Sequence, residues 1–337
     1  MQHIQHAQLF GQMVQIASHI PEWNAEEFKI SEASIIEGME FYQHATCGPR
    51  LKSQLAVDCV MMGTAITPLA LLFGNLEGTD AAHQKLLMSW EETGIAETRD
   101  YVSDSVELFW YTVNMVPLLL ILGRESQAFA ALKAVGFTWK TIEAVDTLGD
   151  AIEAKVPTKK KDATSCYSRL AIFLASPEGE IDEDEFNAWI PSPTKLAKFQ
   201  NGDPILALQS LNDTIYFGAQ CFLKLGRDDE AYEAAKIAVS KEQNTRKKST
   251  RIMSYIVLGR IAAKRSDIDE AEGFFSEAMV EAKLSRLPMF EVLVARDWKK
   301  YLLDPNGRDA SAAEAAIDAA CAKMKKSRGD LASVLLG

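Results

Sequence analysis

The stretch Leu225–Val239, LGRDDEAYEAAKIAV, decides the fold, because its glycine and its spaced alanines recur further along the chain. Gly226, Ala231, Ala235 and Ala238 find counterparts at Ser266, Ala271, Phe275 and Ala278, and again at Gly307, Ala312, Ala316 and Ala319. Recurrence on this scale is the mark of a stacked helical array, in which each unit buries its apolar face only against its neighbours. A shorter echo, LGRESQAFAALKAV at Leu122–Val135, places Gly123, Ala128, Ala131 and Lys133 where the main stretch has Gly226, Ala231, Ala234 and Lys236.

Working outward, the pattern is helical throughout, with no alternating run bounded by hairpin turns, so the expected fold class is all-α. From Pro204 onward the periodicity predicts helices at 204–225, 228–242, 245–264, 268–284, 287–303 and 309–326. Asp228-Asp229, Asp267–Glu270 and Asp309–Ser311 supply the negative or capping character that suits a helix start. Alanines at relative positions 1, 5 and 8 of each second helix share one face and let two helices approach closely. The proline-rich segment 176–204 and PTKKKD at 157–162 read as surface linkers, which puts a domain boundary near Gln200. Two regions follow: residues 1–200, a helical region of degenerate pairs, and residues 201–337, the regular repeats.

The pattern resembles the tetratricopeptide repeat family over 205–337. It gives Gly218-Ala219, Phe222, Gly226, Ala231, Ala235 and Ala238 in one unit, and Tyr255, Leu258-Gly259, Ala271, Phe275 and Ala278 in the next. The family period is about 34 residues, whereas Gly226 and Ser266 stand forty apart, and no proline closes either unit. The resemblance implies an α-α superhelix whose first helices line a concave surface that holds a protein or peptide segment. Its inner-face places fall on Asp213, Tyr216 and Gln220, then on Met253, Ile256 and Arg260. In the third unit, registers starting at Pro288 or Val292 both place Arg296 inside. Lysines and asparagines that clamp a terminal carboxylate in the chaperone-binding branch are replaced here. An apolar strip beside Arg260 and Arg296 remains, suited to a peptide with hydrophobic and acidic groups. Tyr216, Gln220, Arg260 and Arg296 are the expected partner contacts.

Composition narrows the rest. Apolar residues make up 47% and charged residues 25% of 337, enough to bury a large core. The net charge of −11 is uneven: 15 basic and 27 acidic residues precede Asn201, against 21 and 20 after it. Such an acidic chain lacks the basic footprint of a nucleic-acid binder. One run, Arg246–Arg265, has seven basic residues and no acidic one. It reads as a solvated helix face or as a dock for an acidic partner.

Five scattered cysteines, at 47, 59, 166, 221 and 321, without a C-x-x-C pair indicate a reducing, cytoplasmic setting. The amino terminus lacks a secretory signal pattern. The apolar stretches 55–74 and 106–123 are interrupted by Asp58, Pro68, Glu107, Asn114 and Pro117, so a membrane span is not expected. They leave open two alternatives to a scaffold: a ligand sensor with a pocket lined by 59–73 and 109–121, and peripheral membrane attachment.

No catalytic motif is present. Histidines stand only at 3, 6, 19, 44 and 83, none in the repeat region, so histidine-dependent catalysis is excluded there. His3 with His6, and His44 with Cys47, lack the further ligands of a zinc site. SPEGEIDEDEF at 176–186 matches only the second half of a calcium loop, since Leu174 and Ser176 stand where acidic ligands belong. It reads as an acidic turn opening a short helix. The expectation is a non-enzymatic protein-interaction scaffold without metal or cofactor.

Overall fold

The computed structural model describes residues 116, 119–120, 123–134, 139, 169–200, 214–240, 248–285, 288–329 and 331. All of them belong to one compact unit, Val116–Gly337. Among these residues the regular structure is helical, with no strand. The helices are α1 (Glu125–Ala134), α2 (Glu183–Trp189), α3 (Pro193–Gln200), α4 (Thr214–Lys224), α5 (Asp228–Val239), α6 (Lys248–Lys264), α7 (Ile268–Ser285), α8 (Pro288–Trp298) and α9 (Ser311–Met324). From α4 to α9 each helix packs on the next. In addition α4 touches α6, and α6 touches α8, so these three lie side by side.

The repeated glycine position works as a helix stop. Gly123, Gly226, Ser266 and Gly307 all have left-handed backbones, with φ of 76°, 70°, 60° and 59°. After each, the next N–H reaches back to a carbonyl five residues earlier: Arg124 to Leu119 (2.8 Å), Arg227 to Phe222 (2.8 Å), Asp267 to Ala262 (3.0 Å) and Arg308 to Leu303 (3.0 Å). This is the Schellman closure, which satisfies an orphan carbonyl and turns the chain sharply enough to begin a partner helix. Glycine reaches that conformation without steric cost, but Ser266 does not. Relief of a cost of about 1–2 kcal/mol, partly offset by the freedom glycine has when unfolded, makes Ser266→Gly stabilising by about 0.5–1 kcal/mol. Thermal unfolding should show it as a rise of a few degrees.

The alanine stripe is buried where the turn leads straight into a helix. Ala231, Ala234, Ala235 and Ala238 of α5 are buried, as are Ala271, Phe275 and Ala278 of α7, and Ala128 of α1. In the third unit the register differs from the sequence expectation: Ala313 and Ala320 are buried, while Ala312 and Ala319 are exposed. The reason is the longer connection. Asp228 and Ile268 begin their helices two residues after the left-handed position, but Ser311 begins α9 four residues after Gly307. Asp309 holds that extra length by accepting from the Ser311 backbone N–H at 2.9 Å and its hydroxyl at 2.8 Å.

Segment 176–200, expected to be a linker, is part of the core. Ile181, Phe186, Ile190 and Leu196 are buried, and Phe186 stacks on Phe173 with centroids 3.6 Å apart. α3 packs on both α4 and α5. Leu196 sits so close to Gly218 that a Cβ there would lie 2.2 Å from Leu196 Cδ1. Lys224 of α4 donates to the carbonyls of Phe173 (3.0 Å) and Ser176 (2.9 Å), closing the end of the helical residues 169–175. Packing across Gln200 is thus direct, and the compact unit does not begin at Asn201. The prolines are compatible with helix here: Pro193 takes the first position of α3, where its missing N–H costs nothing. The acidic turn does open a short helix, with Asp182 accepting from the N–H groups of Asp184 (2.9 Å) and Glu185 (3.1 Å).

Candidate functional site

Three of the side-by-side helices bring the four expected contact residues to one place. Tyr216 and Gln220 lie one turn apart on α4, and the Gln220 amide donates to the Tyr216 hydroxyl at 3.2 Å. Arg260 is near the end of α6, and Arg296 is near the end of α8. What joins them is Asp297, a residue the sequence did not single out. Its side chain is only 2% exposed. One carboxylate oxygen accepts from Arg260 Nε at 2.8 Å and from Arg260 Nη2, and the other accepts from Arg296 Nε at 3.0 Å.

After Trp298 the helix widens into a π turn, Lys299–Leu303. Such turns recur where function requires a locally altered helix. This one carries Tyr301, whose ring lies 4.9 Å from the Arg260 guanidinium and 5.1 Å from the Lys300 ammonium. A ring flanked by two cations sits beside a carboxylate shared by two arginines. Tyr301 stands four residues after Asp297, so the pair share a helix face.

Electrostatics follow from burial. Burial lifts the Tyr216 phenol well above its ordinary pKa; Arg260 opposes the rise and Asp297 adds to it. Tyr216 is therefore neutral at physiological pH and serves as a polar wall. Burial disfavours the charge on Arg260, but the Asp297 carboxylate, helped by the Tyr301 and Tyr216 phenols, outweighs it and holds the guanidinium above its usual value.

The expected apolar strip is not open. Tyr216, Met253 and Ile256 are all buried, and Asp213 lies outside the described residues. Gln220 is half-buried, while the side chains of Arg260 and Arg296 are 22% and 30% exposed. What reaches the surface is polar and cationic.

In the basic run Arg246–Arg265, the described side chains Arg251, Arg260, Lys264 and Arg265 are each paired within the fold. Arg251 pairs with Glu281 at 2.9 Å, Lys264 with Asp228 at 2.5 Å and Arg265 with Asp229 at 2.5 Å, while Arg260 pairs with Asp297. Arg251–Glu281 joins α6 to α7, while the other three, together with Arg308–Glu272 at 2.9 Å, tie one helix pair to the next. A second buried carboxylate, Glu291 of α8, accepts from Lys323 of α9 at 2.6 and 2.8 Å.

All five histidines lie outside the described residues, as do both apolar stretches apart from Val116, Leu119, Leu120 and Gly123. Among the described residues no three His, Cys, Asp or Glu side chains converge as a metal site, and no helix is long and apolar enough to cross a membrane. Cys221 and Cys321 are buried, and the Cys221 thiol donates to the Leu170 carbonyl at 3.6 Å. Asp297 was missed because an Arg-Asp dipeptide ordinarily reads as two solvated charges. The available signal was its place in PMFEVLVARDW, an otherwise apolar helix. No family model, curated protein or solved structure matches the chain.

Proposed function

We propose that this protein is a non-enzymatic interaction scaffold, a tetratricopeptide-like superhelix that holds a protein segment against α4, α6 and α8. The carrying observation is one polar cluster built from all three side-by-side helices: Gln220 donates to Tyr216, Tyr216 lies within electrostatic reach of Arg260, Asp297 and Arg296, and both arginines donate to Asp297. A surface assembled from successive units is how helical arrays recognise extended partners. The left-handed stops and buried alanines support the arrangement, since they set the helix pairing on which such an array depends.

The test must spare the fold. Reversing Arg260 and Arg296 to glutamate would set two more carboxylates against buried Asp297 and unfold the region, so loss of capture would be ambiguous. Arg296→Gln with Lys300→Gln removes two partly exposed charges and leaves the Arg260–Asp297 pair in place. Affinity capture from the native source with wild type and this double variant should yield a partner that the variant loses. Reconstitution from purified components should reproduce the difference while both melt alike. Equal binding by the two proteins would remove the inner-face assignment.

A further inference from the structure

The charges of the inner cluster do not balance. Arg260, Arg296 and Lys300 supply three positive groups, and among the described residues Asp297 is the one carboxylate that meets them. Arg260 spends Nε and Nη2 on a single oxygen of Asp297, leaving Nη1 without a hydrogen bond among the described residues. Arg296 engages only Nε, so both of its terminal nitrogens are open in the same sense. Lys300 is exposed and has no acidic partner among the described residues. The other basic groups near the helix ends behave differently: Lys264, Arg265, Lys299 and Arg308 each have a carboxylate. The inner cluster thus holds more positive than negative charge among the described residues.

Building on the scaffold reading, we infer that the cluster is a carboxylate-binding site for an acidic peptide, with Asp297 as an internal counter-ion that aims Arg260 and Arg296. Planar guanidinium edges match a carboxylate in two-point geometry. Lys300, 5.1 Å from the Tyr301 ring centre, adds a second attachment for a neighbouring acidic side chain. Because Met253, Ile256 and Tyr216 are buried, affinity comes from charge and hydrogen bonds, not from the mixed apolar and acidic contact that the sequence suggested.

Fluorescence anisotropy with three labelled ten-residue peptides tests this: one alternating serine and glutamate, its glutamine counterpart, and one with phosphoserine in place of glutamate. The glutamate peptide should bind at least about tenfold more tightly than the glutamine peptide, the scale of one lost charged hydrogen bond. Arg296→Gln and Lys300→Gln should each reduce that advantage and leave the glutamine peptide unchanged. Equal binding of glutamate and glutamine peptides, or no binding of the glutamate peptide, overturns the inference. Tighter binding of the phosphoserine peptide by tenfold or more overturns it in favour of a phosphate site. In all three cases partner capture judges the scaffold reading separately.

Discussion

Phe275→Ala is expected to destabilise the Val116–Gly337 unit by about 3–5 kcal/mol, the usual cost of removing a fully buried aromatic ring. The ring has no exposed surface and stacks on Trp298 with centroids 6.5 Å apart and planes 6° from parallel. It also fills the space left by Gly259, where an added Cβ would come within 2.8 Å of Phe275 Cε2 and 2.9 Å of Cζ. One side chain therefore couples α6, α7 and α8. The same geometry sets the sign of a second change. Gly259→Ala should destabilise wild type, because overpacking against a ring held on its far side costs about 1–3 kcal/mol, more than the gain of about 1 kcal/mol in helix propensity. In the Phe275→Ala background the space is vacant, and Gly259→Ala should become stabilising by about 1 kcal/mol. Urea unfolding of the four proteins decides it, and additive effects would refute the proposed coupling.

That pair also shows what the sequence could disclose. Phe275 stood at an alanine position of the repeat, so its place in the stripe was legible, yet its close approach to Gly259 became apparent only from geometry. The left-handed stops were legible because few residues tolerate that backbone, so Gly123, Gly226 and Gly307 betrayed them and the acidic run after Ser266 betrayed the fourth. The register of α9 was not legible, since two extra residues between Gly307 and Ser311 rotate every later side chain around the helix. The segment 176–200 was misjudged because its prolines resemble those of a linker, while Phe186 and Leu196 reach the core through only two short helices. At the site, the resemblance to tetratricopeptide repeats is what put Tyr216, Gln220, Arg260 and Arg296 on an expected inner face. It could not disclose that Met253 and Ile256 are covered, or that a buried carboxylate holds the arginines, because both depend on contacts between units.

Asp297→Ala should be the most damaging polar substitution in the unit, costing about 3–5 kcal/mol, because it strands Arg260 without its counter-ion in a mostly buried place. Denaturant unfolding should report that loss. Replacing both members by apolar residues, Asp297→Leu with Arg260→Met, removes the stranded charge and should recover most of the stability, as matched hydrophobic replacements of buried ion pairs commonly do. The comparison separates two reasons for the pair to exist. If the apolar pair is as stable as wild type, stability does not require charge at this junction of α6 and α8. The same variant has lost the guanidinium of Arg260 and the carboxylate that aims Arg296, so it should no longer distinguish the glutamate peptide from the glutamine one. A stable protein that has lost this discrimination would assign the pair to recognition. An unstable one that still discriminates would assign it to the fold and leave Arg296 and Lys300 to bind alone.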